Sequence, residues 1–183
     1  MVTHRIALIP GDGIGIEVVA EATRILDALA ERTGGWRLAY ERFPWGCGYY
    51  LEHGRMAPQD FLQILSGFDA IFLGAVGYPG VPDHVSLWGL LLPIRRAFQQ
   101  YINLRPIRLL RGIDSPLAGK GPAEIDMFVV RENTEGEYSS MGGRLHEGTP
   151  YEVVVQKTVF TRHGTERVIR YAFELAKRHG RSK

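Results

Sequence analysis

Apolar and polar positions along the chain switch between two periods. Residues 5–9 form a short apolar run closed by Pro10-Gly11, which predicts a strand and a turn. From residue 14 to about residue 32, apolar side chains fall at Val18, Val19, Ala22, Ile25, Leu26 and Leu29. That spacing predicts a helix with one buried face, ended by Gly34-Gly35. Residues 36–43 alternate apolar and polar and predict a strand. Pro58 fits the first turn of a helix running through Leu65, with Gly67 as its stop. Residues 70–73 are wholly apolar, the composition of a buried parallel strand. Strand, helix, strand, helix, strand is the order of an α/β domain.

The pattern continues in the second half. The Pro and Gly content of residues 78–84 predicts a loop. A helix is predicted over 86–101, with Pro93 kinking it or shifting its start. Strands are predicted at 103–110 and 125–130, separated by a Gly/Pro/Ser-rich loop at 112–122. Residues 135–150 are Gly-rich with few core residues, which suits a projecting hairpin better than core. A strand at 153–160 and a helix at 165–177 follow. Thr161 and His163 are the candidate caps of that helix, and Gly180 is its stop.

Composition narrows the class. The chain has 183 residues, 45% of them hydrophobic, with 22 Lys and Arg against 20 Asp and Glu. These are the proportions of a soluble globular protein, which excludes a disordered or collagen-like chain. No apolar run approaches the roughly 20 residues of a membrane span, and the first residues lack a signal-peptide layout. Cys47 is the single cysteine, so no internal disulfide is available and a reducing, cytoplasmic location is expected. A net charge of +2 gives no reason to expect nucleic acid.

Four stretches could carry chemistry. Pro10-Gly11-Asp12-Gly13-Ile14-Gly15 joins a strand to a helix, where backbone N–H groups could hold an anion. Its glycines do not follow the dinucleotide fingerprint, and spacing alone favours a tight turn needing positive φ. Gly74-Ala75-Val76-Gly77 follows the strand ending at Leu73. It is either an ordinary turn or a place where a flat ligand meets the backbone beyond a strand's carboxyl end. Residues 95–111 hold Arg95, Arg96, Arg105, Arg108 and Arg111 with no acid. Guanidinium forks suit carboxylate or phosphate, although spacing alone favours a solvated basic face. Arg131-Glu132-Asn133-Thr134-Glu135-Gly136-Glu137-Tyr138 packs polar residues behind a strand. A tyrosine within reach of Arg131 could act as a proton donor, or the stretch could be a capped turn with a half-buried tyrosine. Cys47 reads as a buried structural thiol. His53, His84, His146 and His163 lack metal-ligand spacing, and the basic tail of Lys177, Arg178, Arg181 and Lys183 reads as a solvated helix end.

Taken in order, these stretches, with Ile94-Arg95-Arg96 and Asn103-Leu104-Arg105-Pro106, resemble the β-decarboxylating dehydrogenases of the isocitrate/isopropylmalate family over the whole chain. Val81-Pro82-Asp83-His84-Val85-Ser86-Leu87-Trp88-Gly89 and Gly136-Glu137-Tyr138-Ser139-Ser140 are most similar to the D-malate/tartrate branch. The resemblance implies an α/β fold, namely the N-terminal half of a two-domain enzyme. Residues 1–101 would begin the cofactor-binding domain, and 102–183 would be a truncated substrate and dimerisation domain with a hairpin arm. It implies oxidation of a 2R-hydroxy diacid by NAD, with a small dicarboxylate as substrate and a second copy of the chain as partner. No nucleic acid or membrane partner is implied. Arg95, Arg105 and Arg131 match the substrate-carboxylate clamp, and Tyr138 the proton donor to the enol carbon. Ile14 and Gly74, Ala75, Val76 and Gly77 match positions lining the cofactor. Leu87, Trp88 and Leu91 match those reading the substituent on C3. Ile16 replaces a proline common in the family. The lysine base, the aspartates that bind Mg2+ or Mn2+, and the adenosine-binding segment are expected downstream, so no metal ligand is expected within these residues. Two alternatives accompany this expectation: an isopropylmalate or isocitrate dehydrogenase fragment, and a non-catalytic subunit or binding module of the same fold.

Overall fold

The computed structural model describes residues 1–181, so Lys183 of the basic tail lies outside the described residues. The chain divides into two units, Met1–Ala97 and Phe98–Lys183.

The first unit is built on a three-stranded parallel sheet in the order β2-β1-β3. β1 (Val2–Gly11) is central, between β2 (Trp36–Arg42) and β3 (Ala70–Ala75). Ile6, Ala7, Leu8 and Ile9 are all buried, as a strand covered on both faces requires. β3 is half-buried, not buried, because it is an edge of this sheet. α1 (Ile14–Thr33) returns over the sheet. Its buried stripe runs through Gly15, Val19 and Ala30, with Ala22 and Leu26 half-covered. Val18, Ile25 and Leu29, expected on the buried face, are exposed together with Ile14. The helix therefore carries two apolar stripes, and one packs on the sheet.

Local chemistry explains the other departures. A short helix α2 (Cys47–His53), which periodicity did not suggest, ends at Gly54 in the left-handed conformation. Pro58 makes only a turn, its carbonyl accepting from Phe61 N–H, and α3 (Phe61–Leu65) starts three residues later. The helix expected over 86–101 comprises α4 (Asp83–Ser86), a π-helical turn (Leu87–Leu91) and α5 (Leu92–Ala97). The π turn lies just ahead of Pro93, where a missing N–H and ring crowding disfavour α-helical bonding. The helix ends at Ala97, short of Tyr101. Gly89 makes room for Met56: a Cβ there would lie 2.6 Å from Met56 Cγ.

The second unit holds two antiparallel pairs. β4 (Ile102–Arg108) pairs with β5 (Asp126–Glu132), with Asn103 opposite Arg131 and Arg105 opposite Val129. β6 (Gly136–Leu145) and β7 (Val153–Val159) form a hairpin of their own. α6 (Arg162–Arg178) packs against β5. Thr161 is its N-cap, with Oγ1 accepting from Gly164 N–H at 3.0 Å. Of the two cap candidates, the β-conformed Thr161 therefore fills the position.

Candidate active site

The two glycine-rich turns of the first unit interlock. Asp12 N–H donates to Ala75 O at 2.7 Å. A Cβ on Gly15 would sit 2.4 Å from Pro10 O and 2.6 Å from Ala75 N, and one on Gly74 would sit 2.1 Å from Pro10 O. These glycines are needed because two turns cross in contact. Beside the crossing, Ile14, Ala75 and Gly77 are exposed and Val76 is half-buried. At Gly13 and Gly77 an added Cβ would meet no atom within 4 Å, so the backbone borders open space. A bare ledge at the carboxyl ends of β1 and β3 fits a flat cofactor ring approaching the main chain.

Asp12 holds this corner together, a role its residue type alone did not reveal. It is 8% exposed. Its carboxylate accepts from Cys47 N–H at 2.8 and 3.1 Å, Gly48 N–H at 3.3 Å and Gly77 N–H at 3.1 Å. Cys47 is fully buried. Burial, then the hydrogen bond and charge of Asp12, push its thiol up to about 11, against an opposing pull from the Gly77 and Tyr78 N–H groups. It is a structural thiol, as its surroundings suggested.

Leu87, Trp88, Leu91 and Arg95 follow one another along the 83–97 helix. Leu87 and Trp88 are exposed, while Leu91 and Arg95 are half-buried. The Arg96 guanidinium lies over the Trp88 ring, 4.9 Å from its centroid, which fixes the indole at the surface.

In the second unit the β4–β5 register places Asn103, Arg105, Ile107, Met127, Val129 and Arg131 on one face. Arg105 and Arg131 are diagonal neighbours there. Arg105 Nε donates to Asn103 Oδ1 at 3.4 Å. Arg131 Nη2 donates to the Tyr138 hydroxyl, and its guanidinium also lies 5.3 Å from that ring's centroid. Arg131 and Tyr138 are therefore in contact, and Arg105 shares the sheet face of Arg131. Arg108 leaves the set: it faces the other way and pairs with Asp126 at 3.1 Å, so the acid missing from 95–111 comes from the next strand. Asp126, held by Arg181 and Arg108, has its carboxyl pulled down.

The turn that sets Tyr138 is fixed from within. Glu132 accepts from Thr134 N–H at 2.9 Å and Glu135 N–H at 2.8 Å. Glu135 accepts from Thr161 N–H at 2.8 Å. Arg167, stacked on Tyr101 at 4.4 Å, donates to Thr134 Oγ1 at 2.7 Å. Asn133 donates through its backbone to Tyr101 O. Sequence reasoning missed Arg167, because a single arginine on a helix carries no local signal.

Among the described residues no group of three His, Cys, Asp or Glu side chains could hold a metal ion. The donor set here does not fit one. Nor is any described helix long and apolar enough to cross a membrane.

A family model described as isocitrate/isopropylmalate dehydrogenase matches residues 5–183. The chain belongs to this family. It is 61% identical over 178 residues to the D-malate dehydrogenase [decarboxylating] of Escherichia coli K12, covering 96% of this chain and 49% of that protein. To the tartrate dehydrogenase/decarboxylase of Pseudomonas putida it is 52% identical over 181 residues, covering 98% and 49%. Among solved structures, isocitrate dehydrogenase from Methylococcus capsulatus superposes with a TM-score of 0.75 at 28% identity, covering 98% of this chain and 49% of that one. The chain spans about half the length of the curated relatives it matches. The mixed α/β architecture is that of half an isocitrate/isopropylmalate-type dehydrogenase.

Proposed function

We propose that this chain is the first half of a cytoplasmic, homodimeric, NAD-dependent dehydrogenase. Its substrate is a small 2R-hydroxy diacid, D-malate or tartrate, oxidised at C2 with loss of CO2 where a β-keto acid results. The observation that carries this reading is the Arg131–Tyr138 contact beside Arg105 on one sheet face. The names of the relatives from Escherichia coli and Pseudomonas putida support the substrate class.

In this reading the residues divide the work by their chemistry. Residues 1–101 begin the cofactor domain, and 102–183 begin the substrate and dimerisation domain. A diacid carries two carboxylates, and guanidinium forks bind such groups in pairs of parallel hydrogen bonds. Arg105 and Arg131 neutralise and orient the diacid, and the family resemblance alone adds Arg95 as a third candidate for the clamp. Such positioning lowers the barrier by several kcal/mol without any bond made to the protein. Tyr138 gives its hydroxyl proton to the enol carbon left after CO2 departs. Arg131, bound to that oxygen, holds the hydroxyl in place and stabilises the phenolate that results. Leu87, Trp88 and Leu91 border the C3 substituent, where an indole leaves space for a small group. Ile14, Gly74, Ala75, Val76 and Gly77 form the ledge for the nicotinamide cofactor, which supplies the hydride acceptor when bound. The Mg2+ or Mn2+ ligands and the lysine base lie outside these 183 residues.

The test is NADH formation by a polypeptide of the relatives' full length carrying this chain, with D-malate or tartrate and Mn2+. Arg105→Ala should raise KM for the diacid about tenfold to a hundredfold, the scale of a lost charge-assisted hydrogen bond, with a smaller effect on kcat. Unchanged kinetics would remove Arg105 from the clamp. Turnover of isocitrate or isopropylmalate in place of the small diacids would overturn the substrate class.

A further inference from the structure

We infer that Asp12 is a positioning residue for the cofactor ledge: one buried carboxylate couples Gly77, at the open end of the second glycine turn, to the Cys47-Gly48 turn at the start of α2. The inference rests on the proposed cofactor role of residues 74–77.

Three segments far apart in sequence meet at this side chain. Its own turn is fixed by the Asp12 N–H bond to Ala75 O at 2.7 Å. Oδ2 accepts from Gly77 N–H at 3.1 Å, while Oδ1 accepts from Cys47 N–H at 2.8 Å and Gly48 N–H at 3.3 Å. Gly46 passes so close that a Cβ there would lie 2.8 Å from Oδ1. The carboxylate therefore cannot swing away without breaking its bonds on both sides. Ala75 and Gly77 themselves are exposed. A surface backbone that must present fixed atoms to a ligand needs an internal anchor, and a carboxylate accepting several N–H bonds is a strong one. The Cys47 residue whose N–H binds this carboxylate is itself fully buried. Preorganisation of this kind acts on ligand affinity by removing the cost of ordering the loop at binding.

The chemistry of the carboxylate supplies a discriminating variant. Asp12→Asn keeps the volume but replaces one acceptor oxygen with an NH2 donor. That donor must then face an N–H of Gly77 or of the Cys47-Gly48 turn. In the full-length polypeptide, NADH should bind D12N about tenfold to a hundredfold more weakly. KM for D-malate at saturating NAD should stay at the wild-type value, because no residue of the proposed diacid clamp belongs to the Asp12, Cys47-Gly48 or 74–77 turns. Wild-type NADH affinity in D12N would overturn the inference. Equal losses for NADH and D-malate would also overturn it, since they would mark general damage. A wild-type protein that turns over D-malate with a different hydride acceptor and binds no NADH would overturn the cofactor reading and this inference with it.

Hydrogen exchange on the wild-type protein gives a second test that needs no variant. NADH should slow exchange in segments 46–49 and 74–78 together. Protection of 74–78 alone would show that the two segments are not coupled, and would overturn the inference.

Discussion

Cys47 shows how much one side chain's surroundings decide. A thiol pushed up to about 11 by burial and by Asp12 is neutral at pH 7, and the thiolate is the species that alkylates. Native protein should therefore resist iodoacetamide at pH 7.5 and react only when unfolded in urea. Mass spectrometry showing native carboxamidomethylation at Cys47 would contradict the burial of that thiol. Glu132 makes the opposite case. Burial resists its ionisation, but the Thr134 hydroxyl and the N–H groups of Glu135, Thr134 and Asn133 outweigh that and bring its carboxyl below the usual range. Its folded value is thus below its unfolded value of about 4.3. The stabilisation is complete above that pH and is lost as pH falls through the folded value. Glu132→Gln should lower stability at pH 7 by about 1 to 2 kcal/mol and flatten the fall in stability below pH 5. An unchanged acid limb in urea titrations at several pH values would show that Glu132 carries no such linkage.

At the level of elements, the sequence was most legible where periodicity and punctuation agree. The order β1, α1, β2 and β3 follows from short apolar runs, a 3.6-residue repeat and paired glycines. The hairpin expected within 135–150 was half legible: those glycine-rich residues supply one arm and the turn, and the strand expected separately at 153–160 is the other arm. α2 was hidden because it is seven residues long, too short for a repeat to show. The π turn was half legible: Pro93 announced a disturbance, but the chain could answer it by a kink, a late start or a wide turn. The exposed stripe of α1 was illegible in principle, because Val18, Ile25 and Leu29 look the same whether or not another element covers them. The candidate site divided similarly. Arg131 and Tyr138 stand seven residues apart, and their contact was one of two alternatives that the sequence left open. Asp12 could have been suspected as an acid between two glycines facing a second glycine turn, yet its partners at Cys47, Gly48 and Gly77 emerge only where the turns after the parallel strands β1 and β3 cross. That crossing has its own test. Gly74→Ala would drive a Cβ to 2.1 Å from Pro10 O and 2.8 Å from Val19 Cγ2. Overpacking against backbone, with no flexible end to yield, should cost about 3 kcal/mol. A urea midpoint equal to wild type would mean that the turns separate easily.

For the molecule as a whole, the informative feature is the apolar surface left uncovered on each unit. In the first, Ile14, Val18, Ile25 and Leu29 are between 46% and 68% exposed along α1, and β3 is a sheet edge. In the second, Ile107, Met127 and Val129 are exposed on the same sheet face as Arg105 and Arg131, while Val153, Val154 and Val155 are exposed on the hairpin. Contiguous apolar surface of this kind draws a partner or aggregates, and an unpaired strand edge templates further pairing. The chain spans about half of its relatives, so the natural covering in the proposed reading is the rest of the polypeptide. Two outcomes then belong together. The 183-residue chain purified alone should form no NADH with D-malate or tartrate and Mn2+. It should also sediment as concentration-dependent oligomers, because its α1 stripe and its β4–β5 face are exposed apolar surface. A polypeptide of the relatives' full length should sediment as a defined species and turn over. If the 183-residue chain instead gave a monomeric sedimentation boundary and one cooperative melt, its exposed stripes would not be interfaces. Turnover by that chain alone would require the hydroxyl's base to lie among these residues, and the division of labour proposed for the two halves would fail.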